Sequence, residues 1–242
     1  MAQIEAYGIS DIGNVRKKNE DVFKILESHK LFSIADGMGG HKAGDVAANE
    51  ATNHLCNLLA RSINHDVSIE QIIEHIRLAI LEANDRVFNL SKTNDNFFGM
   101  GTTLCCLYLH HVNAIFAHVG DSRIYHYNNK DLIQLTKDHS LINKLKDQNK
   151  VFNPQNYKNI ITKAIGTHDK VEPSIGQTSY RSGDVFLLCT DGLSDNINDD
   201  ILKKNLSSSI SSQAICENLI NEAKNNKGSD NITALVIKII KV

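Results

Sequence analysis

Two long helical patterns follow one another directly inside a chain whose other apolar runs are short. Ala48, Ala51, Leu55, Leu58, Leu59 and Ile63 recur at helical spacing, and Ile69, Ile72, Ile73, Ile76, Ile80, Ala83, Val87 and Leu90 repeat the pattern. Ser68 with Gln71 supplies a capping box at the start of the second helix. The runs at 31–35, 103–109, 114–119, 124–127, 185–190 and 232–239 carry β-branched and aromatic residues at strand lengths. A paired helix interrupts the strand–helix alternation that a parallel sheet needs. The order therefore predicts mostly antiparallel sheets with helices packed outside. A later helix over 212–225 would bury Ile215, Leu219, Ile220 and Ala223, with Gly228 helping to stop it.

Composition narrows the function classes. The 242 residues are 41% hydrophobic and 22% charged, with a formal net charge of -2. That balance argues against a broad basic footprint for nucleic acid or a membrane surface. The opening MAQIEAYGIS lacks a basic segment followed by an apolar core, so no secretory signal is read there. Apolar runs such as ALVIKII fall far short of the roughly 18 residues of a membrane span. The five cysteines show no C-x-x-C spacing, and Cys105, Cys106 and Cys189 sit in apolar stretches, as small buried hydrophobes in a reducing cytosol do. With two prolines, Pro154 and Pro173, and no linker or repeat, residues 1–242 read as one cytoplasmic domain.

Acids punctuate the strand-like runs. LFSIADG, AIFAHVGDSR and DVFLLCTDG bring runs to an end at Asp36, Asp121 and Asp191; GSDNITALVI places Asp230 just ahead of another; NED adds Glu20 and Asp21. Alone, each is an ordinary turn or cap residue. Gathered at the edge of one sandwich, they would repel and hold protons unless a divalent cation joined them. Oxygen-only ligands suit Mg²⁺ or Mn²⁺ rather than zinc. The glycine after Asp36 would let a backbone carbonyl approach as well. Two such cations lower the pKa of a shared water and clamp a phosphoryl group for in-line attack. Arg16, five positions before Asp21, offers the guanidinium that matches phosphate oxygens.

Rival chemistries fail on spacing. Gly39 and Gly44 have the Walker A gap, but Asp45 stands where lysine is needed, and Lys42 occupies the third glycine position of G-x-G-x-x-G. No cysteine has an arginine six residues on, and neither H-E-x-x-H nor G-x-S-x-G occurs.

The segments SDIGNVRKKNED, ADGMGGH, MGTTL, VGDSR, LTKDHS, LCTDGLSD and GSDNIT occur in this order. Together they resemble the metal-dependent Ser/Thr protein phosphatases of the PPM or type-2C family, in their compact bacterial form, across essentially the whole chain. The resemblance implies an α+β fold, a four-layer α/β/β/α sandwich with two central antiparallel β-sheets flanked by helices and a small flap subdomain over about 138–170. It implies hydrolysis of phosphoserine and phosphothreonine on proteins by direct attack of a metal-bridging water, with two or three Mn²⁺ or Mg²⁺ ions. It also implies a monomer that opposes a bacterial Ser/Thr kinase.

Carried over position by position, the resemblance makes Asp36 the bridge between two metals, with Asp191 and Asp230 completing the first. The carbonyl of Gly37 would bind the second, with Glu20 acting through water, and Asp21 would hold metal-bound water. Asp121 with Asp191 would form a third-metal position, Asn231 would support the ligands from behind, and Arg16 would anchor the phosphate. Met38 stands where animal members carry a histidine proposed as general acid. His41 is a second candidate for that role, against the plainer reading of a loop-stabilising hydrogen bond. His139 and Ser140 in KDHS read as structural or flap-positioning residues.

From Lys137 to Lys170, seven lysines face three aspartates, which is either a solvated surface or a field that steers an anionic phosphopeptide. Two other readings keep the fold: a catalytically dead phosphoprotein-binding relative, and a phosphatase dedicated to a regulatory switch protein such as an anti-sigma-factor antagonist. The acids at 36, 191 and 230 are all present, which favours an enzyme.

Overall fold

Strands that are apolar on both faces need cover on both faces, and the chain provides it by stacking four layers. The computed structural model describes residues 2–38, 43–64, 66–150, 152, 153, 157, 160–226 and 228–242. In chain order its strands are β1 (Gln3–Asp11), β2 (Asp21–Leu26), β3 (Leu31–Met38), β4 (Gly101–Thr102), β5 (Leu104–His110), β6 (Asn113–Val119), β7 (Arg123–Asn128), β8 (Asp131–Gln134), β9 (Ser174–Ser179), β10 (Val185–Cys189) and β11 (Ile232–Lys241). Its helices are α1 (Gly44–Ser62), α2 (Ile69–Leu90), α3 (Leu141–Asp147), α4 (Asp191–Ser194), α5 (Asp199–Leu206) and α6 (Ser212–Asn225). One sheet orders β1-β11-β10-β7-β8 and the other β2-β3-β5-β6-β9, with β4 paired to the end of β3. Every pair is antiparallel.

The period-2 alternation of side chains sorts the central strands between three apolar layers. On β5, Leu104, Cys106 and Tyr108 face the layer under α1 and α2, while Cys105, Leu107 and Leu109 enter the layer between the sheets. On β10, Phe186 and Leu188 meet them from the other sheet, while Val185, Leu187 and Cys189 join Leu202, Ile215 and Leu219 under α5 and α6. The predicted helix pair thus covers one sheet and the later helices the other, which gives the expected α/β/β/α order. Truncating a buried member such as Leu107 to Ala would cost about 2–5 kcal/mol.

Local signals behave as their chemistry requires. Ser68 Oγ accepts the Gln71 N–H at 3.3 Å, and Gln71 Oε1 accepts the Ser68 N–H at 3.2 Å, closing the predicted box. After α6, the Gly228 N–H bonds the Ala223 carbonyl at 3.2 Å. All five cysteines are buried and free. No helix among the described residues is long and apolar enough to cross a membrane.

The segment at 138–170 contributes α3, capped by Ser140, and two isolated bridges, Ser140 to Ile161 and Thr102 to Ile165. Two lysines of the 137–170 run are tethered locally: Lys137 Nζ bonds Asp147, and Lys163 Nζ bonds the Glu172 backbone carbonyl.

Candidate active site

A cavity of about 670 Å³ opens at one end of the sandwich, and nine of the eleven predicted site residues line it: Arg16, Glu20, Asp36, Gly37, Met38, Asp121, Asp191, Asp230 and Asn231. Asp21 lies just behind them, and His41 falls outside the described residues.

Strand pairing brings the first two acids together. On the β2–β3 ladder Asp21 stands directly opposite Asp36. The glycine after Asp36 is required by close approach. A Cβ on Gly37 would lie 2.2 Å from the Gly44 carbonyl oxygen and 2.7 Å from that of Glu20, because the first turn of α1 rests on the strand end. The Asp36 backbone is held on both sides. Its N–H donates to Thr103 Oγ1 at 2.9 Å, and its carbonyl accepts from the Thr103 N–H at 2.8 Å and the Thr102 hydroxyl at 2.9 Å.

The other acids arrive on β10 and β11. Asp191 opens α4, two residues past the end of β10. Asn231, at the head of β11, braces the 12–20 loop: its Nδ2 donates to the carbonyls of Ile12 and Lys18 at 3.0 and 2.9 Å, and its Oδ1 accepts the Glu20 N–H at 2.9 Å. Arg16 is half-exposed at the mouth, with Nη2 2.7 Å from Asp230 Oδ2.

Crowding sets the charge state. Burial, then repulsion from Asp21, Asp191, Asp230 and Asp121, holds the Asp36 carboxyl well above the usual range. Burial likewise pushes Asp21 and Asp121 up to about 7 and Asp191 up to about 6, with neighbouring acids adding to each. Hydroxyls support Asp21 on one side only: Thr190 and Thr233 donate to its Oδ2 at 2.8 and 2.7 Å. Its Oδ1 and the Oδ1 of Asp191 are buried with no hydrogen-bond partner.

Buried carboxylate oxygens without donors are costly, and a hard cation is the partner that suits a set made only of oxygens. Among the described residues no three His, Cys, Asp or Glu side chains are already gathered as an ion would gather them. The acids ring the cavity at mutual repulsion. The orphaned oxygens and the raised pKa values carry the metal reading instead, since a bound cation would satisfy the first and reverse the second.

The protein phosphatase 2C family model matches residues 15–234. The chain belongs to that family. This phosphatase is 33% identical over 238 residues to the serine/threonine phosphatase stp of Listeria welshimeri, covering 95% of this chain and 93% of that one. It superposes on the serine/threonine phosphatase of S. agalactiae with a TM-score of 0.90 at 31% identity, over 98% of this chain and 100% of that one. The catalytic domain of the phosphatase PstP, solved with two manganese ions, gives a TM-score of 0.86 at 30% identity, over 98% and 99% of the two chains.

Several residues of this cavity escaped the sequence reading. Thr190, Thr233 and Thr103 hold the acids, and Lys17, Lys18 and Ile161 complete the cavity lining. A smaller side cavity of about 230 Å³ joins Asp121 and Asp191 to Asp138, Asp195 and Arg123. The threonines had one available signal, their place within three residues of an acid in CTDG and DNIT and of a glycine in GTTL.

Proposed function

We propose that this phosphatase hydrolyses phosphoserine and phosphothreonine esters on proteins, with Asp36, Asp121, Asp191, Asp230, Glu20 and the Gly37 carbonyl holding two or three Mn²⁺ or Mg²⁺ ions. The observation that carries the reading is the pair of buried, partnerless oxygens on Asp21 and Asp191 beside a cavity with a guanidinium at its mouth. Ions bound there would supply Lewis-acid charge and an acidified water for attack on phosphorus.

The chain's own groups divide the remaining work. Arg16 would leave Asp230 for a substrate phosphate, exchanging one charge-assisted bond for another of the same kind. Asn231 keeps the Arg16 and Glu20 loop in register with β11. Met38 has no proton to give, so the leaving serine or threonine oxygen takes its proton from water. Ile161 brings the 138–170 segment to the cavity wall, which suits a flap over the substrate. The same reading makes the enzyme one domain over 1–242, a cytoplasmic monomer set against a bacterial Ser/Thr kinase. Five free, buried cysteines fit that compartment.

The test is hydrolysis of a phosphothreonine peptide with Mn²⁺, with and without a chelator. Turnover should stop on chelation and return with excess Mn²⁺. Turnover that survives chelation would overturn the metal assignment, and no turnover under any metal would favour a phosphoprotein-binding relative.

A further inference from the structure

The turn that carries Asp121 crosses between the sheets, since Val119 ends β6 in one and Arg123 begins β7 in the other. Its residues are pinned on both flanks of the acid. Ser122 Oγ lies 2.7 Å from Thr103 Oγ1, the atom that also accepts the Asp36 N–H. Gly120 adopts φ +103°, and a Cβ there would lie 2.6 Å from Thr103 Cγ2, so no other residue fits.

The opposite clamp is His139. The Gly120 N–H donates to His139 Nδ1 at 3.1 Å, and the His139 N–H donates to the Gly120 carbonyl at 2.9 Å. An acceptor at Nδ1 fixes the neutral tautomer with its proton on Nε2, which donates to Ser174 Oγ at 2.9 Å. The ring stacks on His118 with centroids 4.4 Å apart. Burial, with that neighbouring ring, pushes its pKa down to about 3, which keeps it an acceptor at neutral pH. The same residue reaches forward as well: its carbonyl accepts the Thr162 N–H at 2.7 Å, next to Ile161 in the cavity wall.

We propose that His139 is a positioning residue for the phosphatase reaction. Through Nδ1 it holds the Gly120 turn, and so the Asp121 carboxylate, at the cavity, and through its backbone it ties that turn to the root of the 138–170 segment. It touches no reacting atom. The inference rests on Asp121 serving the metal centre, as proposed above.

Two substitutions separate the ring's two jobs. His139→Gln keeps a donor near Nε2 and loses the acceptor at Nδ1, whereas His139→Asn keeps an acceptor near Nδ1 and loses the distant donor. In Mn²⁺ titrations on an aryl phosphate, His139→Gln should need about tenfold more Mn²⁺ for half-maximal turnover. It should lower kcat and leave KM unchanged, while His139→Asn restores most of both losses. In the metal-free protein the Gly120 amide should exchange faster in His139→Gln and at the wild-type rate in His139→Asn. Unchanged Mn²⁺ dependence with unchanged Gly120 exchange in His139→Gln, or equal damage in the two variants, overturns the proposal.

Should neither variant fold, the wild-type protein decides. Imidazole NMR that finds the His139 proton on Nε2, and Nδ1 coupled to the Gly120 amide, supports the clamp; a proton on Nδ1 overturns it. A wild-type protein inert in every Mn²⁺ titration would sink the metal-phosphatase reading, while the exchange rates and the tautomer would still judge the clamp.

Discussion

Strand β10 has an aspartate just beyond each end, and the two are treated in opposite ways. Asp184 is buried, and its Oδ2 accepts from His126 Nε2 at 2.9 Å and from the Arg181 N–H at 3.1 Å. The His126 ring is itself bonded to Asn128 and stacked on Phe186. Asp191, at the other end, has an orphaned Oδ1 and sits among like charges. One short strand therefore shows what this fold does with a buried acid when only stability is at stake, and what it tolerates when it is not. Satisfied polar groups serve the fold, and crowded, unsatisfied ones mark a site kept for chemistry.

Neutralising each acid should expose the contrast. Asp191→Asn removes a proposed ligand and should lower kcat/KM on a phosphothreonine peptide by at least about 10³-fold, the several kcal/mol a metal centre contributes. It also removes repulsion, so the metal-free variant should melt no lower than the wild type. Asp184→Ala should do the reverse. It strands the donors of His126 and Arg181, costs about 2–3 kcal/mol in urea unfolding, and leaves kcat of the folded protein near wild type. If Asp191→Asn lost stability and kept activity, the two ends would not differ in kind.

The ends should also answer pH with opposite sign. Asp21 and Asp121, raised to about 7, and Asp191, raised to about 6, bind protons more tightly folded than unfolded. Their contribution to stability is full below the unfolded value near 3.8 and is lost as pH rises through 6–7. His126 is displaced the other way, burial holding its pKa below 6.5, so its contribution is present above 6.5 and lost on acidification. Melting of metal-free protein should therefore show the cavity acids as a decline from about pH 4 to about pH 7 (about 1 kcal/mol or more) that levels off above it, and Asp191→Asn should make it shallower. The stabilisation that Mn²⁺ adds should grow over the same window, because protons compete for the same oxygens.

The sequence made the layers and the acids readable but not their supports. The central strands declared themselves because both faces are apolar. β1 did not: QIEAYGISD mixes polar and small residues, and its strand character comes from nine residues of pairing with β11, a partner more than 200 positions away. β2 hides similarly in a hairpin with β3. Acids at strand ends could be found because their position is itself a signal, and the family resemblance then supplied roles. Thr190, Thr233 and Thr103 could not be assigned to particular carboxylates in advance, since a threonine near a strand end is ordinary until the neighbouring strand shows what its hydroxyl faces.

Those hydroxyls give the smallest and most discriminating test. Thr233 Oγ1 lies 2.7 Å from Asp21 Oδ2 and 2.8 Å from Ser10 Oγ, while Thr190 Oγ1 donates to the same carboxylate oxygen and accepts the Thr233 N–H at 3.0 Å. Thr233→Val keeps the shape and removes one donor that favours the charged form of Asp21, so the Asp21 pKa should move above its present value of about 7. With the carboxyl protonated near pH 5 the missing donor should matter little; near pH 8 it should cost about 1 kcal/mol. The wild-type decline in stability with pH should steepen accordingly. An equal loss at both pH values would mean that the hydroxyl only fills space, and that the cavity end is braced in the same manner as the Asp184 end.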